Sequence, residues 1–131
     1  MRLLIIVLTL LPTLAFAEGG ERILACRTVT ACDVNGHCTA QDVQTVFRVQ
    51  PVKVDADGAG QWLLSYDDVS APVTLEAGDM RLSWSEGSED AQTWLFTGYD
   101  DNDRVQMVWH SRSDTEDIPG QTRFLSCEEV Q

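Results

Sequence analysis

Four cysteines constrain this chain more than any other feature: Cys26, Cys32, Cys38 and Cys127. An even count in a small exported chain implies two disulfides, with three possible connectivities. The segment from Leu24 to Cys32 is rich in Thr, Val and Ala and reads as extended. Cys26 and Cys32 are then roughly 20 Å apart at about 3.3 Å per residue, beyond the span of a disulfide. The stretch Cys32-Asp-Val-Asn-Gly-His-Cys38 carries its own geometry. Asp33 and Gly36 suit a type I turn closing a bulged three-residue hairpin loop, with Asp33 facing His37 and Cys32 facing Cys38. A tighter Asn35-Gly36 turn would set Cys32 opposite Thr39, so the cysteine spacing favours the longer loop. The surviving assignment is Cys32–Cys38 across one hairpin and Cys26–Cys127 between the chain ends.

The rest of the sequence is organised in short alternating runs broken by Gly, Asp, Asn and Pro, an all-β signature. Val43, Thr45, Phe47 and Val49 alternate with Gln44, Val46, Arg48 and Gln50; Trp62, Leu64 and Tyr66 share a face. Asp67 to Pro72 reads as a loop, followed by Val73 and Leu75 in alternation with Thr74 and Glu76. After a Gly78-Asp79 turn come Met80, Leu82 and Trp84, then a turn from Glu86 to Asp90 and a strand from Thr93 to Tyr99. Asp100 to Asp103 turns into Val105, Met107 and Trp109, and a polar loop closed by Pro119-Gly120 leads to a last strand, Thr122 to Cys127. Thr39 to Asp42 could instead cap a helix carrying Val43, Val46 and Phe47, but the β-branched run through Val49 favours a strand. About eight strands result. A disulfide joining first to last makes those two neighbours, and a meander whose ends are neighbours is closed. The expected fold is a small antiparallel up-and-down barrel; a β-sandwich with adjacent terminal strands is the alternative.

The oxidising context comes from the first seventeen residues. Arg2, an apolar run from Leu3 to Leu11, Pro12 and the small-x-small Ala15-Phe16-Ala17 form a secretory signal cleaved after Ala17. The run is shorter than the roughly 20 apolar residues of a permanent span. Residues 18–131 are then a single disulfide-stapled domain, periplasmic or secreted, with no membrane insertion after cleavage. The full chain carries 9 basic and 21 acidic residues, a net charge of −12; cleavage removes only Arg2 and leaves −13 on 114 residues. Such a chain does not bind nucleic acid through phosphate electrostatics, and a basic protein is the expected partner. The sequence fixes no oligomeric state.

Motifs for chemistry are weak. Cys32, His37 and Cys38 lack the paired spacing and fourth ligand of a zinc site, and no Cys-x-x-Cys is present for redox exchange. Asp55-x-Asp57 with Gly60 imitates a calcium loop, but Ala59 and Tyr66 stand where an oxygen ligand and a bidentate Glu belong. Asp100, Asp101 and Asp103 pose the same question. His110 and Ser111 are adjacent, and adjacent strand residues face opposite ways; there is no nucleophile elbow. The expectation is a non-enzymatic protein with no catalytic residue, metal or cofactor. Trp62, Trp84 and Trp109 are the candidate ligand-binding residues, set against plain core filling.

This layout resembles a small calycin-type barrel, in the company of lipocalins, avidins and the compact β-barrels of exported bacterial lysozyme inhibitors. The lipocalin Gly-x-Trp motif opens the first strand, whereas Gly60-Gln61-Trp62 follows two strands, and Glu18 stands where a lipid-anchored inhibitor needs Cys. No functional residue is therefore carried over. The leading expectation is an exported binding protein, hydrolase-inhibitor-like, that docks a basic protein through its acidic surface. A carrier of a small apolar ligand and a structural envelope component are the alternatives.

Overall fold

The computed structural model describes residues 20–76, 81–86, 90–113 and 120–130. The expected leader (1–17), the Gly78-Asp79 turn, the turn following Glu86 and the loop ending at Pro119 lie outside those residues. Eight strands are present: β1 (Arg22–Asp33), β2 (Cys38–Val54), β3 (Gly60–Tyr66), β4 (Val69–Leu75), β5 (Arg81–Glu86), β6 (Asp90–Tyr99), β7 (Val105–Ser113) and β8 (Gln121–Val130). All pairings are antiparallel and the spatial order is β4-β3-β2-β1-β8-β7-β6-β5, a nearly closed barrel. Among the described residues no helix is long and apolar enough to cross a membrane.

Both disulfides join directly opposed residues. Cys26 faces Cys127 across β1–β8, and Cys32 faces Cys38 at the tip of the β1–β2 hairpin. No cysteine is free, so the thiolates a zinc site would need are absent. The segment Thr39–Asp42 lies within β2 rather than in a helix.

The turn chemistry at Asp33 recurs twice. Asp33 N–H donates to His37 O at 2.9 Å, Asp55 N–H to Ala59 O at 2.9 Å and Asp100 N–H to Arg104 O at 3.0 Å. In each case one carboxylate oxygen of the leading Asp accepts two amides, two and four residues on, at 2.8–3.0 Å. The fourth position takes a left-handed backbone: φ is 82° at Gly36, 80° at Gly58 and 59° at Asp103. Asp103 fills a place glycine occupies without steric cost.

Two details depart from the sequence expectation. First, the sheet is open between β4 and β5, which are consecutive in the chain but not paired in a ladder. Second, Pro72 belongs to β4, opposite Leu63 of β3, instead of ending a loop. Proline cannot donate to a ladder, so it is tolerated where its nitrogen faces away from the neighbouring strand. On β4 that direction is the open seam.

Side chains pointing inward fill the barrel. Phe47 is completely buried and stacks on Trp94 at 4.9 Å, with Tyr66 at 5.1 Å and Trp109 edge-on at 5.4 Å. Leu64, Leu82, Val49, Val73, Met107 and Leu125 complete the core around these rings. Each such side chain stabilises the fold by about 1.5–3 kcal/mol on full burial.

Candidate functional site

The β1–β2 and β3–β4 turns and the Glu86–Asp90 end of the β5–β6 ladder lie at one mouth of the barrel, and polar groups gather just inside it. Alternation carries them there: Glu86 continues the inward phase of Leu82 and Trp84, Asp90 and Gln92 that of Trp94, and Arg123 that of Leu125 and Cys127. Glu86 and Asp90 are opposed in the β5–β6 ladder. Trp109 and Arg123 are opposed across β7–β8.

The floor of this mouth is aromatic. Tyr66 lies 5.9 Å from Trp84 and 5.3 Å from Trp109, and the two tryptophans are 6.4 Å apart. Their polar edges are satisfied within the barrel: Trp84 Nε1 donates to Tyr66 Oη at 3.1 Å, and Trp109 Nε1 to Gln92 Oε1 at 2.8 Å. The Arg123 guanidinium sits 4.3 Å from the centre of the Trp109 ring, a cation–π contact that fixes an otherwise flexible side chain.

Charge is unbalanced at this rim. Glu86 Oε1 is buried and accepts no hydrogen bond. Burial raises the Glu86 pKa above the ordinary carboxylate value, the neighbouring Asp90 charge adds to the rise, and Arg123 opposes it. Arg123 is shifted downward by its own burial, with Glu86 resisting. The mouth therefore presents two carboxyl groups and one clamped cation over an aromatic floor. That set suits a hydrogen-bonding or cationic group more than an apolar one, because an apolar ligand would leave the Glu86 carboxyl desolvated and unpaired.

The three candidate tryptophans are not one site. Trp84 and Trp109 meet at the mouth, whereas Trp62 lies toward the other end, where its Nε1 donates to Gly58 O at 3.1 Å. Gly60 beside it has a local reason, since a Cβ there would collide with the Lys53 backbone carbonyl. His110 Nδ1 is 2.9 Å from Thr122 Oγ1 on the exposed outer face, while the half-buried Ser111 donates from Oγ to Gln121 O at 3.3 Å. These two side chains engage different partners. Asp55 Oδ1 is committed to its own turn amides, as is Asp100 Oδ1. In the disulfide loop, His37 Nδ1 is 3.2 Å from Asp33 Oδ2, and the His37 amide, ahead of other turn donors, lowers the Asp33 pKa.

Glu86, Asp90, Gln92 and Arg123 were not anticipated as a group, although a charged residue in the inward phase of an alternating strand is a signal available in the sequence. Neither protein families, curated proteins nor solved structures give a match to this chain.

Proposed function

We propose that this protein is an exported, non-enzymatic binding protein that docks a basic partner protein through its acidic surface, in the manner of inhibitors of basic hydrolases. The carrying observation is the charge of −12 on the full chain, together with where its few cations are spent. Arg22, Arg27, Arg48 and Arg104 are each held by a carboxylate, from Glu129, Asp42, Glu21 and Glu128 respectively. The exposed turn carboxylates of Asp57, Asp67, Asp68, Asp101 and Asp103 keep a field that steers cationic surfaces toward the barrel ends. The two formed disulfides are compatible with an extracellular setting, and the leader pattern of residues 1–17 supports delivery to a periplasm or the exterior.

The apolar-carrier alternative draws less support. Phe47, Trp94, Tyr66 and Trp109 occupy the space a ligand would need, as expected for eight strands.

The test is titration of the mature chain with basic hydrolases, lysozyme-type enzymes first, and basic envelope proteins at low salt. Binding is expected and should weaken at least tenfold as ionic strength rises to about 0.15 M, where the Debye length is about 8 Å. No interaction with any of these proteins at low salt overturns the proposal.

A further inference from the structure

β2 is the longest strand, and only Arg48 and Val49 of it are paired on both sides. β3 pairs with Arg48–Val54, while Cys38–Phe47 has β1 on one side and no described strand other than β3, at its foot, on the other. The cause is the short β3–β4 hairpin, which turns back at Asp67-Asp68 immediately after the Tyr66–Val69 pair. Above that turn, alternate N–H and C=O groups of β2 face outward along some ten residues.

Natural sheets protect such edges with proline, lysine or inward charges. The open edge of β4 conforms, because it carries Pro72. The β2 edge has none of these and carries only a bulge, Gln41–Asp42 opposite Val29. Cys38–Phe47 contains no proline, lysine or arginine, and its one charged residue, Asp42, is engaged by Arg27 at 3.3 Å. Val43 and Val46 are both 54% exposed beside it. The foot of the edge is acidic: the β2–β3 register places the exposed Asp67 and Asp68 just beyond the last paired residues. Asp33 stands in the β1–β2 turn at its head, with its pKa lowered.

We infer that the open β2 edge, Cys38–Phe47, takes up an extended lysine- or arginine-bearing segment of the partner as an added β-strand. The strand's backbone supplies ladder hydrogen bonds, its small apolar side chains cover Val43 and Val46, and its cations meet Asp67 and Asp68. This mode rests on the acidic-surface docking proposed above and specifies the element that performs it.

The experiment uses the mature chain and a ten-residue peptide alternating threonine and lysine. Its control is the same peptide N-methylated at every residue, which keeps the charge and removes every ladder donor. The plain peptide should bind and slow amide exchange within Cys38–Phe47 at least tenfold. The methylated peptide should bind at least tenfold more weakly, and Asp67→Asn with Asp68→Asn should weaken the plain peptide several-fold. Equal binding of both peptides, or binding without protection in β2, overturns strand addition. So does protection that grows with protein concentration alone, which would make a second copy the occupant. Basic proteins that bind while both peptides fail, with β2 unprotected, overturn this inference and leave acidic-surface docking standing. Failure of the proteins and the peptides overturns both.

Discussion

The barrel has two seams of opposite character. Along β1–β8, strands from the two ends of the chain form a ladder running from Ile23–Val130 to Asp33–Gln121, locked by Cys26–Cys127. Along β4–β5, strands adjacent in sequence form no ladder, and beside that seam Trp84 of β5 donates a buried hydrogen bond to Tyr66 of β3. Proximity in sequence therefore does not decide which strands zip together. A covalent link and a long row of backbone donors, broken only at Val29, join β1 to β8, whereas Pro72 removes a donor where β4 would offer one.

Breaking the closed seam should have the largest effect. Replacing Cys26 and Cys127 by alanine releases a cross-link spanning 101 residues and should cost about 4 kcal/mol in urea unfolding. Replacing Cys32 and Cys38 releases a span of 6 residues and should cost about 2 kcal/mol. Equal losses would remove the contrast in loop length as the source of the seam's strength. Beside the open seam, Tyr66→Phe in β3 leaves the buried Trp84 N–H of β5 without its acceptor and should cost about 1–3 kcal/mol. Amide exchange in β4 and β5 should accelerate before that in β1 and β8; uniform acceleration would show that the two seams open together.

Pro72→Thr restores a donor to the β4 edge. Stability should change by no more than about 0.5 kcal/mol, while sedimentation in high salt, with charge repulsion screened, should show more self-association than the parent. An unchanged profile would mean that Pro72 is not what keeps this edge unpaired.

The smallest effect concerns pH. Because the folded-state pKa of Glu86 is raised, folding is penalised by its ionisation. The penalty is absent below the unfolded value and grows as pH rises through the folded one. Glu86→Gln should therefore gain less than about 0.5 kcal/mol at neutral pH, given solvent screening, with the gain vanishing in acid. Asp33 works in the opposite direction: its lowered pKa makes its turn most stable above the ordinary carboxylate range, and that contribution is lost as pH falls through the folded value.

Much of this architecture was legible because it rests on local rules. The spacing Cys32-x5-Cys38 with Asp33 and Gly36 specified one hairpin, and elimination then paired Cys26 with Cys127. Pro72 was misplaced into a loop because a proline is compatible with a strand only at an edge, and edges are a property of the assembled sheet. The mouth was illegible for a related reason. Alternation sends Glu86 and Arg123 inward, but their proximity depends on how β5, β6, β7 and β8 are staggered around the barrel, which no single segment encodes. The open edge of β2 likewise depends on a difference in length between two hairpins.

The side-by-side exit of β1 and β8 also bears on how the chain can be rewired. A short linker joining residues near Arg22 and Val130, with a new opening between β4 and β5, which share no ladder, gives a circular permutant with the same strand neighbours. In it Cys26 and Cys127 belong to a single hairpin, so the most distant contact becomes a local one. Lower contact order speeds folding, and the permutant should reach the native barrel faster than the natural chain order.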